Sequence, residues 1–182
     1  KSEIQNVEGM KNIITITTGR LREILENLES KRICVFGDFY LDRYSIGIME
    51  CISREAPIPI VRLKTPQSTR HLPGAAGNVA MNLAALGAKV SVIGIVGADM
   101  FGKHLEEILS DQGADTGGLV VAKDRPTGAF EKFYASAFHS RMQQVARVDT
   151  EAAKQITSGQ ENLLIEHFHH QLEICDGFIF AD

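Results

Sequence analysis

Two aspartates four positions apart, Asp38 and Asp42, follow the apolar run Ile33 to Phe36 and Gly37. Such a run reads as a buried strand, and in open parallel α/β sheets ligands bind beyond the carboxyl ends of the strands. Carboxylates delivered there can accept hydrogen bonds from a hydroxyl-rich ligand, each worth about 1.5–3 kcal/mol because the acceptor is charged. A second chemistry-bearing stretch is PGAAGNVAMNLAALGA, Pro73 to Ala88, where glycine-rich chain runs straight into an alanine-rich amphipathic helix. Gly74 and Gly77 can take dihedrals closed to other residues, and Asn78 stands where its side chain could cap the helix or reach into a cleft. Amides at a helix start carry partial positive charge, which suits an oxygen-rich ligand.

The elements that must hold these groups can be read from periodicity. Val79, Leu83 and Leu86 make a core-facing stripe, with Gly87 as the helix stop. Val90 to Val96 reads as a second buried strand leading into GIVGADMFG, where Asp99 is a helix N-cap. Phe101, Leu105, Ile108 and Leu109 form one face of a helix to Gln112, closed by Gly113. Leu21, Leu25 and Leu28 mark a surface helix from Thr18. Ser158 to Glu161 reads as an S-x-x-E capping box opening a helix with Leu164, Phe168 and Leu172 on one face. Gly177 to Asp182 is a further buried strand that stops on an aspartate. Alternating strands and helices imply a parallel sheet with right-handed crossovers, an α/β fold. Tyr44 to Thr69, carrying Pro57 and Pro59, fits an exposed edge β-segment. Thr127 to Ala135 and Gln143 to Asp149 read as strands joined by a polar turn around His139 to Arg141. Residues 1–16 show no pattern and are expected to be a loosely ordered leader.

Composition narrows the function classes. The 182 residues are 44% hydrophobic and 23% charged, ordinary for a globular domain, and the net charge of -4 argues against binding nucleic acid through phosphate contacts. No apolar run approaches the roughly 20 residues of a membrane span, and KSEIQNVEGM lacks a signal-peptide core, so a cytoplasmic location is expected. Cys34, Cys51 and Cys175 have neither disulfide nor zinc spacing. Glu166 and His170 sit at i, i+4 without a visible third ligand, so a solvated helix face is expected there and no metal site. GIVGADMFG lacks the G-x-G-x-x-G spacing of a dinucleotide-binding oxidoreductase.

Taken in order, GDFYLDRY, ISREAPIPIV, PGAAGNVAMNLAALGA and GIVGADMFG resemble the ribokinase-like, PfkB-type sugar kinases, over residues 33–182. Within that family the likeness is greatest to bacterial heptose 7-phosphate kinases of ADP-heptose synthesis, whose NQQxxRxD segment is similar to MQQVARVD, Met142 to Asp149. Arg54 stands where those kinases usually have proline, Ala75 where the second glycine of a pair is usual, and Gly77 where alanine is. The resemblance implies a doubly wound, mostly parallel sheet with a small β-sheet lid over the sugar, the lid pieces being about 44–70 and 127–149, and 17–182 forming the N-terminal portion of a kinase domain. It implies that Asp42 accepts sugar hydroxyls, with Asp38, Gly74, Asn78 and Asp182 around the same cleft. A substrate that already carries a phosphate needs a basic partner. Arg43, Arg54, Lys132 and Arg147 are the candidates, and Gln143 or Gln144 could reach a hydroxyl, adjacent strand residues pointing to opposite faces.

The family's GAGD segment, which supplies an anion hole and the catalytic aspartate, does not occur in these residues. The expectation is therefore that the C-terminal part of the fold, with most contacts to ATP and Mg, lies beyond Asp182 and that this stretch alone is inactive. The implied reaction is ATP-dependent phosphorylation of a sugar or sugar phosphate, heptose 7-phosphate to the 1,7-bisphosphate first, in lipopolysaccharide precursor synthesis. Lid strands of the family often pair between subunits, so a homodimer is implied. The alternatives are a non-catalytic carbohydrate-binding or dimerising module, or a fructose, ribose or nucleoside kinase of the same fold.

Overall fold

The computed structural model describes residues 16–137, 140–151 and 155–181. The elements, in chain order, are α1 (Thr18–Leu28), β1 (Arg32–Gly37), β2 (Phe39–Ile52), β3 (Pro59–Arg62), β4 (Thr69–Ala75), α2 (Ala76–Ala85), β5 (Lys89–Gly97), α3 (Met100–Asp111), β6 (Asp115–Ala122), β7 (Gly128–Ser136), β8 (Gln143–Thr150), α4 (Ser158–Leu172) and β9 (Gly177–Ala181).

Four of the strands build a parallel sheet in the order β6-β5-β1-β9; the apolar runs predict β1, β5 and β9, and β6 is the addition. Alternation along each strand sends neighbouring residues to opposite faces. Val35, Val90, Val92 and Val96 pack with Ala76, Ala80, Leu105 and Leu109 of α2 and α3. Cys34, Ile93 and Val120 pack against Leu164 of α4, backed by Phe36, Phe168 and Phe178. Helices therefore cover both faces of the sheet. Burial pushes the Cys34 thiol up to about 11, so it behaves as a small apolar side chain.

The remaining strands form the lid, in the order β3-β2-β7-β8, with β4 also paired to β2. Here the sequence reading needs correction. Tyr44 to Ile52 is not an edge segment; it is the outer half of the fourteen-residue β2, which lies between β7 on one side and β4 and β3 on the other. Within that segment only β3, which opens on Pro59 just after Pro57, is an edge strand. The β7 and β8 pieces lie where expected, although Phe138, His139 and the leader residues 1–15 fall outside the described residues.

Helix starts also differ in detail. α2 begins at Ala76, two residues before Asn78, because small residues let the chain turn in early: the Ala76 N–H donates to the Asp38 carbonyl at 3.0 Å. Asn78 is thus not a cap, and its Oδ1 accepts from Asn82 Nδ2 at 3.3 Å. The most buried residues of α2 are Ala76, Gly77 and Ala80, and Leu86 is 50% exposed. The capping box of α4 is Thr157 with Gln160, one residue ahead of the Ser158 pattern. Asp99 caps α3 as expected and does more. Its carboxylate accepts from Gly102 N–H and from the Thr127 N–H and hydroxyl, each at 2.8 Å, tying α3 to the start of β7. Burial acts to raise its pKa, and those hydrogen bonds outweigh it and hold the carboxyl below its usual range.

Candidate functional site

β1 ends on Gly37, where a Cβ would lie 1.8 Å from the Ala181 carbonyl oxygen, so only glycine fits between β1 and β9. The exposed Asp38 follows, its N–H donating to that carbonyl at 3.2 Å. Phe36, Gly37, Asp38, Phe180 and Ala181 line a hollow of about 300 Å³ at these strand ends, the position that sheet topology assigns to a ligand. Asp182 follows Ala181 but lies outside the described residues.

β2 then carries the chain into the lid and sorts its side chains by face. Asp42 and Tyr44 share one face with their cross-strand partners Leu72 and Arg70 on β4 and Phe130 and Lys132 on β7. On this face Lys132 Nζ sits 2.9 Å from Asp42 Oδ2 and 3.2 Å from the Tyr44 hydroxyl, over the Tyr44 ring at 4.8 Å. Burial alone would lower the Lys132 pKa; its bonds to Asp42 and Tyr44 and the Asp42 charge outweigh that and raise it, so the ammonium stays charged. Asp42 Oδ1 is buried and has no hydrogen-bond partner. An unsatisfied buried acceptor costs about 1–3 kcal/mol, which a donated hydroxyl would recover. Gly74 lies against this carboxylate: a Cβ there would be 3.4 Å from Asp42 Cγ.

The rest of the face is aromatic and cationic. Tyr40 stacks on Phe130 at 4.9 Å, the Arg147 guanidinium lies 4.2 Å from the Phe130 centroid, and Arg147 pairs with Asp149 at 2.5 Å. Tyr134 donates to Gln144 Oε1 at 3.1 Å. Polar groups flanked by aromatic faces make a surface suited to hydroxyls, C–H edges and anionic groups together.

Of the residues singled out from sequence, Asp42, Gly74, Lys132 and Arg147 thus come together, with Asp38 at the adjoining strand end and Asn78 exposed on the first turn of α2. Arg43 does not join them. It projects to the opposite face of β2, ion-paired to Glu131, because adjacent strand residues alternate. Gln143 pairs with Ala135 on that other face too, so Gln144 is the glutamine on the site side. Arg54 lies beyond the end of β2, beside Cys51, Ser53 and Arg62. Sequence reasoning missed Tyr44 and Arg70; the period-two rule, applied outward from Asp42 once the register was known, finds both. Among the described residues no group of three or more His, Cys, Asp or Glu could hold a metal ion.

The family model for pfkB family carbohydrate kinases matches residues 31–158. The chain belongs to this family. The pfkB kinase chain is 36% identical over 152 residues to the bifunctional protein HldE of Helicobacter pylori strain J99, covering 84% of this chain and 31% of that protein. It is likewise 36% identical over 159 residues to HldE of Wolinella succinogenes, covering 87% of this chain and 32% of that one. It therefore spans about a third of the length of these curated relatives. Among solved structures, a carbohydrate kinase from Agrobacterium tumefaciens superimposes with a TM-score of 0.58 at 18% identity, over 82% of this chain and 45% of that one. Arabidopsis thaliana ribokinase complexed with ribose and ATP gives 0.51 at 22% identity, over 74% and 42%. These likenesses carry the fold: the pfkB chain has the α/β, mostly parallel, ribokinase-like architecture with its lid.

Proposed function

We propose that this pfkB chain forms the sugar-binding side of a kinase that moves the terminal phosphoryl group of ATP to a hydroxyl of a sugar or sugar phosphate. Heptose 7-phosphate, converted to the 1,7-bisphosphate for ADP-heptose and lipopolysaccharide precursor synthesis, is the first substrate, on the strength of the HldE likeness and the motif resemblance. The observation that carries the reading is the buried, partnerless oxygen of Asp42 set against Gly74 and beneath a charged lysine. In this reading Asp42 orients the sugar through its hydroxyls, Asp38 and Asn78 extend the floor, and Lys132 and Arg147, each paired to a carboxylate, line the lid face above it. Phosphoryl transfer is mostly positioning and charge neutralisation. The present residues supply the positioning of the acceptor, whereas the anion hole, the base and the groups holding ATP and Mg belong to sequence outside these 182 residues. This stretch alone is then inactive. The enzyme works in the cytoplasm without nucleic-acid or membrane partners, and pairing along the outer lid strand β8 makes it a homodimer.

The test is a phosphoryl-transfer assay of the full-length protein with ATP against heptose 7-phosphate, free heptose, fructose and ribose. ATP-dependent product from heptose 7-phosphate, well ahead of the others, is the expected result. Turnover confined to a free pentose or hexose would displace the heptose assignment, and no turnover on any sugar would overturn the kinase reading.

A further inference from the structure

Arg70, Tyr44, Lys132 and Arg147 are register partners across four adjacent lid strands. Tyr44 faces Arg70 on β4 and Lys132 on β7, and Lys132 faces Arg147 on β8. Register partners project from the same face of a sheet, so three cations stand in one row on the Asp42 side of the lid. They are not equivalent. Lys132 is neutralised by Asp42 at 2.9 Å, and Arg147 by Asp149 at 2.5 Å. Arg70 is exposed and has no hydrogen-bond or ion-pair partner among the described residues. The row therefore carries one uncompensated positive charge, at the β4 end.

Resting on the sugar-site reading above, we propose that Arg70 is the specificity-determining residue that selects a phosphorylated sugar over its free counterpart. The phosphate docks on the Arg70 guanidinium while hydroxyls of the same molecule reach Asp42. One strand spacing across and two residues along place the two anchor points about 8 Å apart, the span of a pyranose ring with a phosphate on its exocyclic arm. A guanidinium takes a phosphate through two parallel hydrogen bonds, and a free arginine takes it without first breaking an ion pair. Arg43, one strand position away, cannot substitute, since it faces the other side of the sheet and is held by Glu131.

The test uses the full-length protein with inorganic phosphate as probe, comparing wild type with Arg70→Gln, Arg70→Lys and, as a charge control on α1, Arg22→Gln. Phosphate affinity is read by calorimetry and ³¹P line broadening. Selectivity is read as the kcat/KM ratio of a sugar phosphate to the same free sugar. Arg70→Gln is expected to weaken phosphate binding about 10- to 100-fold and to lower the ratio by a similar factor, Arg70→Lys to restore part of both, and Arg22→Gln to change neither. Because Arg70 is exposed, unaltered thermal unfolding of Arg70→Gln is expected to accompany these losses. Failure of wild type to bind phosphate, or phosphate affinity and ratio unchanged in Arg70→Gln, overturns the assignment. Arg70-dependent phosphate binding without turnover of any sugar would instead sink the kinase reading and leave the anion site standing.

Discussion

Replacing Ala75 by glycine should make the protein more stable, although a helix N-cap is the position altered. Ala75 adopts φ 47° and ψ -125°, the one non-glycine residue with positive φ among those described. Those angles belong to the first central position of a type II′ turn, where a Cβ crowds the backbone and glycine is preferred. Three contacts hold it there. Ala75 pairs with Phe39 across β2 and β4, the next N–H donates to the Asp38 carbonyl at 3.0 Å, and Gly77 is pressed so close to Pro73 that a Cβ would lie 2.7 Å from the proline Cβ. A conformation of this kind costs an L-residue about 1–3 kcal/mol. Glycine removes that cost and returns about 0.5–1 kcal/mol through its greater freedom in the unfolded chain. The net gain is about 0–2.5 kcal/mol, a rise in Tm of up to about 8 °C for a chain of this size. Scanning calorimetry of Ala75→Gly and Ala75→Val checks it, with valine expected to lower Tm. A fall in Tm for Ala75→Gly would mean that the turn is unstrained, and the reasoning would fail.

Two further outcomes follow from groups outside the sugar face. Asp99→Ala removes a helix cap and leaves the Thr127 N–H unsatisfied, so a loss of about 2–4 kcal/mol is expected in urea unfolding; a loss below about 1 kcal/mol would show the three bonds to be redundant. His71 packs on His104 at 4.9 Å, and burial, then the charges of His104 and Arg43, lower its pKa against the opposing pull of Glu131. Because the unfolded chain then takes up the proton first, this contribution is complete above about pH 6.5 and is lost as pH falls through the folded-state value. Denaturant midpoints should decline with acid below about pH 6.5 in wild type and decline less in His71→Gln; parallel profiles would contradict this.

The parts of the fold legible in the sequence are those where burial writes an unbroken pattern. Val90 to Val96 and Ile33 to Phe36 are apolar on both faces because helices cover both faces, and α3 shows its cap, stripe and closing Gly113 in the text itself. β6 was not legible, because Gly117 and Gly118 interrupt its run; a Cβ on Gly118 would lie 2.4 Å from the Val92 carbonyl, so packing against β5 forces the break. The site was legible by residue type and illegible by face. Nothing in DFYLDRYSIG says that Arg43 looks away from Asp42 while Arg70, almost thirty residues on, looks with it, since that depends on the β2–β4 register. The start of α2 was misplaced for a related reason: the turn at Ala75 runs against local preference and is set by its neighbours, whereas Asn78 carries the stronger local signal.

The central claim is that the Asp42 carboxylate receives the hydroxyls of a sugar. Steady-state kinetics and calorimetric binding of heptose 7-phosphate to full-length wild type and Asp42→Asn address it most directly. The account predicts at least a tenfold loss of sugar affinity and of kcat/KM in Asp42→Asn, with the KM for ATP little altered. Equal sugar affinity and equal turnover in the two proteins would contradict it.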